Sequence, residues 1–406
     1  MRRDTLRIRI SGGLFENLID VMILVYIVII GVGSQVISAF LSNLWCAVII
    51  MLCFLHKLMR RSFHVSGFTF VQFLFVLFGF LSLFWSYDVS VSRERMTTVL
   101  LLFVFSSLLC DYLAFEGKEK RYLHMICWGG AIYAIYIFLS YGFGNYLELM
   151  VSGNRLGDMF STFNTNGIGR ITAVAAIMNL YVYIDEKRWP YLIAFLVCVT
   201  AMLGTGSRTA LGGFAIGLVA MFLLKKTRKR FVYFLGGALA IVIALFVIQL
   251  PAFEFITSRI DQMIFGLSGN NANADNSTLE RMELNAVALE QFLQTPITGI
   301  GIGASGVLTR RVMGISSYIH NNYLELLCCG GVIGTALYYL QYYLPLQRIV
   351  RRFKERSSEQ TLVLVLIIMY LLMHLGTVSY FDKSVYIHMV LIHLLAHYQK
   401  KKGMNT

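Results

Sequence analysis

The 406-residue sequence predicts an all-α polytopic membrane protein with about 12 transmembrane helices and one large external loop. Hydrophobic residues make up 57% of the chain and charged residues 14%, and mean hydropathy is +0.67, too apolar for a soluble fold. Only four prolines interrupt long runs of Leu, Ile, Val, Phe and Ala, so the spans read as helices rather than as short alternating barrel strands. The third observation is the placement of the basic residues along those spans.

Taken in order, the basic opening MRRDTLRIRI and the polar SGGLFENLID precede an uncleaved first span near 18–36. Further apolar runs lie near 38–55, 67–85, 97–115, 122–141, 166–184, 190–203, 209–224 and 231–250, and a last group near 321–345, 361–378 and 385–398. With the N-terminus in the cytoplasm, 25 of the 35 Lys and Arg fall on the inner side, in KLMRR, KEKR, KKTRKR, QRIVRRFKER and similar clusters. The 22 acids divide almost evenly, so the bias lies in the cations, as the positive-inside rule requires. Both termini are therefore expected in the cytoplasm. The net charge of +13 is explained by this sorting and calls for no nucleic-acid partner.

The same topology divides the chain into an N-terminal transmembrane bundle (1–250, about nine spans), an external loop (251–319) and C-terminal helices with a cytoplasmic tail (320–406, about three spans). In the loop, GLSGNNANADN is a polar connector, and STLERMELNAVALEQFLQT reads as an amphipathic helix. Ser277 and Glu280 fit a capping box there, and Leu279, Met282, Ala286, Leu289 and Leu293 form one apolar stripe, flanked by Arg281 and Asn285. The stripe is expected to face the membrane or the spans.

Seven cysteines, all in apolar runs, imply no disulfide framework. HEXXH, Walker and GxGxxG patterns and an acidic metal-binding pair are absent, so no metal or other cofactor is expected. His393 and His397 have metal-compatible spacing without a co-ligand, and read as packed histidines together with His388. The glycines of GIGIGASG resemble a phosphate loop only by composition.

Ten cations escape the inner side, and Arg170, Arg208 and Arg281 are the most informative. Arg170 lies inside the start of a span and Arg208 in a turn between two spans, where an ionised side chain needs a partner or a watery cavity. Snorkelling to the interface is the plain alternative. A guanidinium fork suits phosphate oxygens, so the cluster suggests an outward-facing site for a phosphate- or diphosphate-bearing amphiphile. His320, at the mouth of the span that follows the loop, is a candidate hydrogen-bond acceptor or general base. Tyr323 and Glu325 are candidate orienters, and Asn321 and Asn322 read as caps or positioning groups.

Four segments in order, FNTNGIGR (163–170), GTGSRTALGG (204–213), ERMELNAVALEQFLQTPITGIGIG (280–303) and HNNYLELLCCGGVIG (320–334), resemble the O-antigen polymerase and O-antigen ligase family of bacterial envelope glycosyltransferases. The resemblance implies a GT-C-like fold and metal-independent, inverting glycosyl transfer at the periplasmic face of the inner membrane. The donor and acceptor would be oligosaccharides on undecaprenyl diphosphate, with membrane lipids around them and a chain-length regulator and a flippase as partners. By the same resemblance, Arg208 and Arg281 correspond to arginines associated with the donor diphosphate, and His320 to the residue that activates the acceptor; Arg170, Asn321, Asn322, Tyr323 and Glu325 are the diphosphate- or glycan-binding candidates. Two positions depart from the family pattern: Asn164, Thr165 and Asn166 stand for Asn-Pro-Asn, and Asn285 stands where Trp is frequent. A polymerase is the favoured reading; a ligase that transfers glycan to lipid A core, a lipid-linked oligosaccharide transporter and a structural membrane subunit are the alternatives.

Overall fold

The computed structural model describes residues 12–33, 39–61, 66–142, 144–146, 148, 165–225, 261 and 276–398. Among these the chain is helical, without a strand. The helices are numbered here over the described residues. α1 is Gly12–Gly33, α2 Ala39–Arg60, α3 Gly67–Leu81, α4 Val89–Glu116 and α5 Glu119–Tyr141. α6 is Thr165–Glu186, α7 Pro190–Gly204 and α8 Arg208–Leu224. The C-terminal part has α9 Asn276–Gln294, α10 Ser305–Met313, α11 Asn322–Arg351, α12 Ser358–Met373 and α13 Lys383–His397. Among the described residues, seven helices are long and apolar enough to cross a membrane, and α7, α8 and α12 are shorter apolar helices. The expected span at 231–250 and the expected connector before α9 lie outside the described residues.

Local chemistry sets the helix ends. Asp88, Ser207 and Asp382 accept hydrogen bonds from first-turn amides of α4, α8 and α13, and Ser357 with Gln360 forms a full capping box on α12. Pro190 opens α7, where a missing amide hydrogen costs nothing.

Packing is close inside and apolar outside. The middle of α6 (Ala173, Val174, Ala175, Ala176) is fully buried, and a Cβ at Gly130 of α5 would lie 2.3 Å from that of Ala175, so two small residues let these helices touch. Large apolar side chains such as Phe84, Leu139 and Phe40 point outward instead, an arrangement suited to lipid rather than water.

Polar contacts sort the helix ends into two layers. Lys57 with Asp111, Lys118 and Arg121 with Asp20, Lys120 with Glu359 and His124 with Glu186 link one set of ends. Arg170 with Asp382, Arg208 with Thr278 and Lys383 with Ser42 link the other. The candidate residues all belong to the second layer.

The CCGG run marks a break in α11. Gly331 is left-handed (φ 59°), and a Cβ there would meet Ile297 O at 2.3 Å. The segment 295–303 inserts at this break. Ile300 and Gly301 donate their amides to Cys328 O and Cys329 O at 3.1 and 2.9 Å, and Val332 donates to Pro296 O at 2.9 Å. The glycine-rich turn therefore spends its amides on carbonyls released by the broken helix, satisfying backbone that an apolar environment could not. It also fixes where α9 leaves the bundle.

α9 itself corrects one expectation and decides another. Ser277 lies inside the helix rather than capping it. Thr278, Leu284, Ala288 and Gln291 are buried, whereas the predicted stripe turns outward at Met282, Leu289 and Leu293. Leu284 and Ala288 supply the buried contact at a helical spacing the longer apolar stripe had overshadowed, and Gln291 is tolerated inside because Tyr87 donates to its Oε1 at 3.2 Å.

Candidate functional site

Arg208 begins α8 and donates from Nη2 to Thr278 Oγ1 at 3.1 Å. Thr278 and Arg281 are three residues apart on α9 and share a face. Two arginines from distant segments thus flank one patch.

His320 faces the same patch. Its ring lies against Tyr318 with centroids 4.1 Å apart. Burial and then the positive field of Arg281 lower its pKa from about 6.5 to about 4. It is therefore neutral near pH 7 and offers a ring nitrogen as a proton acceptor. Its backbone is left-handed (φ 57°), a conformation that costs a non-glycine residue roughly 1–3 kcal/mol and is tolerated where the surroundings fix it. Burial raises the Tyr318 pKa, against the opposing charges of Arg281 and Arg170, so all three cationic and aromatic elements share one electrostatic neighbourhood.

The fixing element is Glu325, buried one turn into α11. Its carboxylate accepts from Ser305 Oγ at 2.7 Å, from the Ile319 amide at 3.0 Å and from Tyr380 OH at 3.4 Å. None of these bonds goes to the imidazole. Glu325 holds the residue before His320 instead of orienting its ring.

The neighbouring polar residues are engaged with the protein. Asn321 caps α11, accepting from the Tyr323 and Leu324 amides at 3.0 and 3.3 Å. Asn322 is fully buried, donating to Tyr339 OH at 2.9 Å and accepting from the Ser379 amide at 2.8 Å. Tyr323 donates to Leu371 O at 2.7 Å and stacks on Tyr339 with ring centroids 4.9 Å apart. Asn322 joins α11 to the 374–382 turn and Tyr323 joins it to α12, so these side-chain bonds are made within the protein.

Arg170 is buried and forms an ion pair with Asp382, the N-cap of α13. Burial pushes the Asp382 pKa up, but the Arg170 guanidinium together with the Ser384 hydroxyl and amide more than offsets this and holds it below the usual range. Arg170 sits at the base of the site, with its charge already answered.

Sequence reading missed two features, Asp382 and Tyr318, and noted a third, Asn285, without assigning it to the site. Asp382 lies 212 positions from its arginine, beyond any local pattern. Tyr318 looked like an ordinary loop aromatic. Asn285 is one turn from Arg281, and its Oδ1 is buried without a hydrogen-bond donor among the described residues; its departure from the family's aromatic was the available signal.

His393 and His397 hydrogen-bond to Gln341 O and His393 O at 2.7 and 2.8 Å, and His388 to Tyr370 OH at 2.6 Å, so packing accounts for all three. Among the described residues, one metal-compatible group lies in the opposite layer, where ligand atoms of Glu16, His56 and Glu116 come within 4.8 Å of one another. Arg60 reaches Glu16 at 2.6 Å and Glu116 at 3.7 Å and already supplies a cation there.

Residues 193–339 match the family model described as O-antigen ligase. The match begins in α7 and ends within α11; it includes Arg208, Arg281, Asn285 and His320 through Glu325, and excludes Arg170 and Asp382. No curated protein matches the chain.

Proposed function

We propose that this multi-pass membrane protein, whose residues 193–339 match the family model described as O-antigen ligase, polymerises lipid-linked oligosaccharide repeat units. The growing glycan on undecaprenyl diphosphate is the donor, and a hydroxyl of a second lipid-linked unit is the acceptor. The observation that carries this reading is the grouping of Arg208, Arg281 and a neutral His320 from three separate segments at one end of the bundle.

The chemistry follows from that grouping. Breaking the anomeric C–O bond releases a diphosphate, and negative charge accumulates on its oxygens in the transition state. Two arginines fixed in a poorly hydrated site stabilise that charge without reorganisation. His320 accepts the proton of the acceptor hydroxyl as its oxygen attacks the anomeric carbon from the opposite face, so a single displacement inverts the centre. The diphosphate also offsets the Arg281 field that depresses His320, which raises its basicity when donor is bound. Arg170 and Glu325 act as positioning residues, and Asn285 Oδ1 is placed to accept from a glycan hydroxyl.

We place this layer at the periplasmic face of the inner membrane, with both termini cytoplasmic, because the opposite layer holds most of the basic clusters. The division into 1–250, 251–319 and 320–406 follows from the same topology, and a chain-length regulator and a flippase are the fitting partners. The purified protein, given undecaprenyl-diphosphate-linked repeat units, should produce a ladder of longer lipid-linked chains, undiminished in EDTA. Transfer only to lipid A core would identify a ligase, and unchanged glycan would point to a transporter.

A further inference from the structure

At the ends of α6, α8 and α12 remote from His320, the protein encloses a second polar space, a cavity of about 190 Å³. Tyr181 and Asp185 line it from α6, Lys225 from the end of α8, and Arg356, Ser358 and Thr361 from the start of α12, while Met221 and Leu362 supply apolar wall.

Its cations are built in. Arg356 donates to Phe353 O at 2.7 Å and to Leu224 O, and its guanidinium lies 3.9 Å over the Phe353 ring, so carbonyls of two elements hold it in place. The N-terminus of the 16-residue α12, capped by Ser357 and Gln360, adds the positive end of a helix dipole. Asp185 is the opposing charge; it accepts from Ser358 Oγ at 2.8 Å.

Tyr181 points to a ligand independently. It is 7% exposed and lines the cavity, yet its hydroxyl has no hydrogen-bond partner among the described residues. Ser358, which donates to Asp185, neighbours the Tyr181 hydroxyl but does not meet it in hydrogen-bond geometry. A buried hydroxyl left without a partner is costly, and an acceptor in the cavity would recover that cost.

We propose that this cavity binds a phosphate group, held by Lys225, Arg356 and Tyr181 OH, with Met221 and Leu362 against the apolar part of a lipid that bears it. A phosphate-bearing lipid headgroup and free phosphate share this chemistry. The site is separate from the His320 cluster, and its test does not read glycosyl transfer.

Delipidated protein is titrated with phosphatidylglycerol, the phosphate-free lipid diacylglycerol or inorganic phosphate, and bound equivalents are counted by native mass spectrometry. One phosphatidylglycerol should bind at least about tenfold more tightly than diacylglycerol. Lys225→Gln and Tyr181→Phe, each checked for unchanged helix content, should weaken it several-fold. Displacement by millimolar phosphate identifies the phosphate alone as the recognised group, whereas resistance to phosphate shows that the apolar wall is also needed. Equal binding of the two lipids, or wild-type affinity in both variants, overturns the proposal.

Discussion

Removing either partner of the Arg170–Asp382 pair should destabilise the protein far more than removing both. The Arg170 side chain is 5% exposed and that of Asp382 29%. Breaking a buried pair on one side costs about 3–5 kcal/mol, because the remaining charge is left uncompensated, and the partial exposure of Asp382 favours the lower end. At an unfolding entropy of roughly 2 cal/mol/K per residue, about 3 kcal/mol in a chain of this length lowers Tm by about 3–4 °C. Arg170→Met and Asp382→Leu should each show such a drop in detergent-solubilised protein followed by intrinsic fluorescence. The double variant should recover much of it, with a coupling energy above about 1 kcal/mol. Because the folded pKa of Asp382 is depressed, its contribution is present above the unfolded carboxylate value of about 4 and is lost as pH falls through the folded value. The wild-type advantage over Asp382→Leu should therefore shrink only under strong acid. Additive losses would refute the pairing argument.

Further outcomes follow from the same geometry. In glycan-extension assays Arg281→Gln should lower kcat/KM by about 10²–10³, the usual loss for one fixed donor to developing charge. The wild-type pH profile of kcat/KM should be flat from pH 8 to about 5 and fall as His320 protonates near pH 4; in Arg281→Gln the protonated ring is no longer repelled, so the acid limb should move to higher pH. Glu325→Gln keeps size but alters the acceptor of the Ile319 amide and Ser305 hydroxyl, and should reduce kcat with little change in KM, whereas Tyr323→Phe, which loses only a bond to Leu371 O, should cost about 1 kcal/mol in thermal stability and leave kcat within twofold. Gly331→Ala should fail to give stable protein, since its Cβ meets the Ile297 carbonyl and the left-handed backbone is unsuited to alanine.

The spans were legible because a bilayer imposes a length and an apolar composition on each, both of which survive in a single sequence. Arg208, Arg281 and His320 stood out because cations and polar residues at the mouths of apolar runs violate that rule. Partners were harder to see: Asp382 answers Arg170 across most of the C-terminal half, and Glu325 acts through the Ile319 backbone rather than through the imidazole. The CCGG run was visible as an oddity, but its meaning depends on the 295–303 turn reaching back to the break in α11. The sequence left open whether the apolar stripe of α9 faces the membrane or the spans; the stripe turns outward, and Leu284 and Ala288 make the contact with the bundle.

The central claim is that Arg281 and His320 act together on one glycosyl transfer. Its most direct test compares the length of lipid-linked glycan made by wild type, Arg281→Gln and His320→Ala from undecaprenyl-diphosphate-linked repeat units, at matched protein amount and matched Tm. Wild type should build a ladder, and each variant should leave the starting unit essentially unextended. Ladders of wild-type length and rate from both variants would contradict the assignment of this site.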